Sequence, residues 1–173
     1  MTGGAGFIGS HLIDRLISRG DDVVVIDNLS SGQLSFIEPH LKTGKAVLVQ
    51  GDLCNPDDVN QAMAMNIDCV FHLAANPDIR LGTRVTDTDL KQGTIATYNV
   101  LEAMRSNGVV NIAFASSSVV YGEDAPMPTP EDHGPMINFT PSVSMASCAL
   151  LAAGPALVSL SLVTYLIFFP FMV

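Results

Sequence analysis

Between residues 133 and 173 the sequence has not one Asp, Glu, Lys or Arg. Cationic side chains are scarce throughout: eight Lys and Arg stand against seventeen Asp and Glu, a net charge of −9. That balance repels a polyanionic backbone and argues against non-specific nucleic-acid binding. Small anionic ligands stay open, because backbone amides rather than net charge can hold them. Cysteine is equally sparse. Cys54, Cys69 and Cys148 are odd in number and match neither a zinc spacing nor a disulfide framework, which points to the reducing cytoplasm. His11, His40 and His133 have no partner in sequence that suggests a metal site. No basic segment followed by an apolar core opens the chain, so no secretory signal is expected. There is no internal repeat, and 173 residues suit one domain with a proper core.

What is present alternates. Residues 9–19, "GSHLIDRLISR", place Leu12, Ile13, Leu16 and Ile17 on one face and charged side chains opposite, a helix with one buried stripe. "DDVVVIDN" is a β-branched run too short for a helix and too apolar for a strand with one wet face, so it reads as a parallel strand covered on both sides. "KAVLVQGD" reads as another strand of this kind, and "DCVFHLAA" as a third. "CNPDDVNQAM" opens a helix capped by Asn55, with Pro56 at its first position and Asp57 and Asp58 in its first turn. A longer helix is expected over 86–106, with Leu90, Thr94, Thr97, Leu101 and Met104 near one face, before the strand "VVNIAFASSS". Strands alternating with helices through short turns imply a doubly wound parallel α/β sheet. After Tyr121 the proline-rich stretch reads as a loop.

The chemistry begins at "MTGGAGFIGS". Gly3, Gly6 and Gly9 stand three apart and lead into the first helix. In a βαβ unit such a turn bends tightly, brings the backbone close to a pyrophosphate and lets helix and strand pack closely. The amides of Phe7 and Ile8, where the helix starts, then face the phosphates. Asp27 and Asn28 end the next strand, where the Asp27 carboxylate can accept hydrogen bonds from both ribose hydroxyls and would repel a 2′-phosphate; this favours NAD over NADP. The other reading of Asp27 is that it opens the turn "DNLSSG". His72 reads as a core histidine with its ring satisfied rather than a ligand.

"TGGAGFIGSHL", "VVVIDNLSSG", "GDL", "FHLAAN" and "FASSSVVYG", in this order and at these separations, resemble the extended short-chain dehydrogenases that epimerise or dehydrate nucleotide-sugars, the UDP-glucose 4-epimerases among them. The resemblance runs over 2–141. It implies a Rossmann-type NAD-binding domain over 1–141, truncated at its first strand, and no C-terminal substrate domain. It places Asp52 and Leu53 beside the adenine, and Leu73, Ala74 and Ala75 along the cofactor. It implies a UDP-sugar or related nucleotide-sugar substrate, and a homodimer, as such enzymes often are. It makes Ser117, with Ser116 and Ser118 close by, the hydroxyl-positioning residue of a reaction in which a tyrosinate removes a sugar proton while NAD takes the hydride; the plain alternative is a serine-rich strand end. Tyr121 is not that tyrosine. The family's stands beyond the loop, four residues before a lysine that lowers its pKa, and here those two positions hold Ser144 and Cys148. Neither replaces a tunable phenol or a fixed positive charge. The expectation is a chain that binds cofactor but is catalytically impaired, the alternatives being a non-catalytic NAD-binding module and a non-functional fragment.

Three accounts stay open for the uncharged segment 142–173. It is the family's next helix and strand with apolar substitutions. Or it is a membrane segment, against which Pro170 and the marginal length of "LVSLSLVTYLIFFPFMV" argue. Or the reading frame changes near Val143: codons for Ser-Met-Ala, one base out of frame, can read Tyr-Gly, the dipeptide that the family has there.

Overall fold

The computed structural model describes residues 1–78, 81–116, 126–128, 130 and 163–166. In chain order the elements are α1 (Phe7–Arg19), β1 (Val23–Asp27), α2 (Leu34–Lys42), β2 (Ala46–Gln50), α3 (Pro56–Met63), β3 (Cys69–His72), α4 (Leu81–Arg84), a π-helical turn (Leu90–Ile95), α5 (Ala96–Asn107), β4 (Asn111–Ala115) and β5 (Val163–Leu166). All the strand pairs are parallel: β1 with β2, β3 with β4, and β4 with β5. Between β1 and β2 the crossover that parallel strands require is α2, and between β3 and β4 it is α4, the π-helical turn and α5.

The two ladders are joined by the first two residues of the chain. Thr2 bridges in parallel to Ile26 on one side and to His72 on the other. The Ile26 amide donates to the Met1 carbonyl (2.9 Å), the Thr2 amide to Phe71 (2.9 Å) and the Gly3 amide to Ile26 (3.0 Å). The order is therefore β2-β1-(Met1–Thr2)-β3-β4-β5, with Thr2 as an isolated bridge between the two ladders. Beside Met1, a small apolar cavity of about 30 Å³ lies among Val24, Val59, Val70 and Val100.

Alternation along β1 divides the core. Val23 and Val25 join Ile13, Leu16 and Ile37 on the α1 and α2 face. Ile26 joins Val59, Met63, Val100 and Met104 on the α3 and α5 face. Two layers of helix over one sheet are what the run "VVVID" demands, since both of its faces are apolar.

Three expectations are tested by these elements, and two are corrected. β2 is not covered on both sides: it is the outer strand of its ladder, and Val47 is 47% exposed. The expected helix over 86–106 is broken into a π-turn and α5, and Leu90 is exposed while Thr97, Leu101 and Met104 are buried. The i→i+5 bonding of a π-turn adds a residue to the turn and rotates Leu90 out of phase with the face continued by α5. The capped helix is as read: Asn55 accepts from the Asp57 amide at 3.2 Å, with Pro56 at the first position. Within 142–173, the described strand β5 lies in parallel register beside β4. No helix of the described residues is long and apolar enough to cross a membrane.

Candidate functional site

A cleft of about 480 Å³ opens at the C-terminal ends of β1, β2, β3 and β4. Open parallel sheets bind ligands at this edge, where the strand order reverses. Here the reversal falls at Met1–Thr2, between β1 and β3, so the glycine turn stands at the centre.

The turn leaves Thr2 and enters α1 through Gly6, which caps the helix with no side-chain hydrogen bond. The amides of the first helical turn therefore have no side-chain acceptor and face the cleft as donors, reinforced by the helix dipole. Two glycines are sterically required. At Gly3 (φ +66°) an added Cβ would lie 2.8 Å from the Ala74 nitrogen; at Gly9 it would lie 2.4 Å from the Gly3 carbonyl oxygen. The first lets the turn abut the end of β3, and the second lets α1 sit directly on the turn.

Asp27, at the end of β1, both closes the turn that follows the strand and lines the cleft. Its Oδ2 accepts from the Ala5 amide and its Oδ1 from the Leu29 amide, each at 2.9 Å. The first bond ties it to the glycine turn and the second closes the turn after the strand. Each carboxylate oxygen retains acceptor capacity toward the cleft. Asn28 donates from Nδ2 to Asp52 Oδ2 at 3.5 Å. Asp52 accepts from the Cys54 amide (2.8 Å), and its own amide donates to Asp58 (2.8 Å). Burial and the neighbouring Asp52 carboxylate push the Cys54 thiol up.

Gly3, Gly6, Phe7, Ile8, Gly9, Asp27, Asn28, Asp52, Leu53, Leu73, Ala74 and Ala75 all line this one cleft. Ser117, Tyr121, Ser144 and Cys148 lie outside the described residues. The described part of β4 brings Ala115 to the cleft wall. Among the described residues no group of His, Cys, Asp and Glu is arranged to hold a metal ion.

Sequence reasoning missed several residues. Gln92 and Ala96, from the π-turn and α5, line the cleft. Asn99, buried in α5, donates to the Leu53 carbonyl at 2.8 Å and fixes that loop. The only signal for Asn99 was an amide in an otherwise apolar helix stripe. His72 is, as read, a satisfied core histidine: it is 2% exposed, between Thr2 Oγ1 (2.7 Å) and Thr97 Oγ1 (3.1 Å).

The family model for NAD dependent epimerase/dehydratase proteins matches residues 1–144. The chain belongs to the NAD dependent epimerase/dehydratase family. It is 41% identical over 131 residues to the UDP-glucose 4-epimerase of Erwinia amylovora, a match covering 74% of this chain and 39% of that protein. Among solved structures it is similar to the UDP-glucose 4-epimerase of Thermus thermophilus in complex with NAD, with a TM-score of 0.81 and 27% identity over 96% of this chain and 52% of that one. The UDP-glucose 4-epimerase of Thermotoga maritima, solved with UDP-glucose, gives a TM-score of 0.79 and 29% identity, again over 96% and 52%. The chain thus spans about half the length of these solved epimerases, and its fold is that of their Rossmann-type half.

Proposed function

We propose that the cleft binds NAD and that the chain is the cofactor-binding portion, over 1–141, of a nucleotide-sugar epimerase or dehydratase. The observation that carries this reading is the uncapped start of α1 behind a glycine turn, with Asp27 tied to the same turn through Ala5. Gly3, Gly6 and Gly9 let the backbone approach the pyrophosphate, and the amides from Phe7 onward hold it. Asp27, with Asn28 beside it, accepts the adenosine ribose hydroxyls. Asp52 and Leu53 flank the adenine, and Leu73, Ala74 and Ala75 carry the chain along the dinucleotide. The cleft is also of the size that ordinary cofactor sites have.

Bound NAD supplies a hydride acceptor. In the proposed reaction Ser117 orients the sugar hydroxyl of a UDP-sugar or related substrate. The family positions of the proton-accepting tyrosine and its lysine hold Ser144 and Cys148. A serine hydroxyl has no pKa that burial or a neighbouring cation can bring near neutrality, so cofactor binding is retained while sugar oxidation is lost. Titration with NAD and with NADP, followed by addition of UDP-glucose, tests the reading. Saturable NAD binding, weaker NADP binding and no reduced nicotinamide are expected. Reduction of the bound cofactor would overturn the assignment of Ser144 and Cys148.

A further inference from the structure

The hydrogen bonds around His72 have only one consistent set of proton positions. Thr97 Oγ1 donates to the Gly93 carbonyl at 2.6 Å, so toward His72 it can only accept. His72 Nε2 therefore carries the proton, and Nδ1 is an acceptor. Thr2 Oγ1 accepts from the amides of Leu73 and Ala74, each at 3.2 Å, and its own proton goes to His72 Nδ1 at 2.7 Å. Burial and the Met1 ammonium push the imidazole down to about 4, which keeps it in this neutral form.

One end of this chain of bonds holds the end of β3 against the glycine turn, where a Cβ on Gly3 would lie 2.8 Å from the Ala74 nitrogen. The other end holds the π-turn, which presents Gln92 to the cleft. The same π-turn is tied to the adenine side by Cys54 Sγ, which donates to the Lys91 carbonyl at 3.4 Å.

We propose that His72, as the Nε2–H tautomer, is a positioning residue for the dinucleotide cleft: through Thr2 it fixes Leu73 and Ala74 at the glycine turn, and through Thr97 it fixes the π-turn that brings Gln92 to the cleft lining. This rests on the cofactor reading and extends it to a buried residue that the cofactor does not touch. The Thr2 arm lies nearer the turn and dominates cofactor affinity.

The two arms can be cut separately. His72→Asn keeps an acceptor near the Nδ1 position, and His72→Gln keeps a donor near the Nε2 position. NAD affinity is expected to fall roughly threefold for His72→Asn, which loses the Thr97 arm, and roughly tenfold or more for His72→Gln and for Thr2→Val, with Thr2→Ser restoring it. Folding is followed in parallel by thermal midpoint. Affinity that merely tracks the midpoint across the variants, or Thr2→Val binding like wild type, would overturn the proposal. On the unaltered chain, nitrogen-15 NMR of the histidines is expected to show His72 neutral and protonated at Nε2 at pH 7, with its resonances moving on NAD addition. An Nδ1–H tautomer, or resonances indifferent to NAD, would also overturn it. Failure of the wild-type chain to bind NAD at all removes the cofactor reading together with this inference. Normal wild-type binding with indifferent variants removes the inference alone.

Discussion

At the scale of single residues, Asp27 concentrates the most information. Its two bonds to Ala5 and Leu29 make it part of the turn and leave it lining the cleft, so the turn role and the proposed ribose role are compatible in one carboxylate. Asp27→Ala is expected to weaken NAD binding roughly 10- to 100-fold, the worth of charge-assisted hydrogen bonds to a ribose, and to shrink the preference over NADP; parallel titrations with the two dinucleotides check this. Gly9→Ala places a methyl 2.4 Å from the Gly3 carbonyl oxygen. A denaturation curve should show a loss of about 1–3 kcal/mol together with loss of NAD binding. His72 makes stability depend on pH. Its pKa is about 4 in the folded chain against 6.5 ordinarily, so between these values the unfolded chain binds a proton that the folded chain refuses. Stability therefore rises with pH across that window, by about 3 kcal/mol, and falls away on acidification. The Met1 ammonium, pushed by burial from 8.0 to about 6, adds the same sign between those values. Urea midpoints from pH 4 to pH 8 should rise for the wild type, and His72→Asn should flatten the lower part of that rise. Asp27 and the glycines were legible because their spacing alone encodes a backbone path. Asn99 and Gln92 were not, because their roles depend on which side of a helix lies over the cleft.

At the scale of elements, regular periodicity was readable and its interruption was not. β1 and α1 follow directly from a β-branched run and an amphipathic stripe, and α3 from its capping residues. Asn55→Ala should cost about 1 kcal/mol, read as a shift in the denaturant midpoint, because Asn55 satisfies the otherwise open Asp57 amide. The π-turn left no such trace. Its sequence, "LKQGTI", continues a plausible α-helical face, and only the structure shows the extra residue that exposes Leu90 and brings Gln92 to the cleft. β2 likewise reads as a buried strand from its valines and alanine, yet its place outside β1 leaves Val47 in solvent. Composition records a strand's apolar content, whereas position in the sheet decides how many of its faces are covered.

At the scale of the whole molecule, the sheet is organised around Met1 and Thr2. Thr2 bridges Ile26 on one side and His72 on the other, which sets the glycine turn at the point where the strand order reverses. Family and fold were legible from five short motifs in order, because those motifs encode a cofactor path rather than a surface. The segment over 142–173 was far less legible, since without charge it has no pattern that separates a buried face from a solvent face. One part of it, β5, extends the sheet in parallel beside β4. The proposed function joins a cleft competent for NAD to Ser144 and Cys148 at the places where the family's proton-transfer residues are expected. The most direct test is a calorimetric titration of the purified chain with NAD, followed by UDP-glucose while reduced nicotinamide is monitored by absorbance. Saturable one-site binding and no absorbance change are expected; absence of saturable binding, or accumulation of reduced cofactor on adding the sugar nucleotide, would overturn the proposed function.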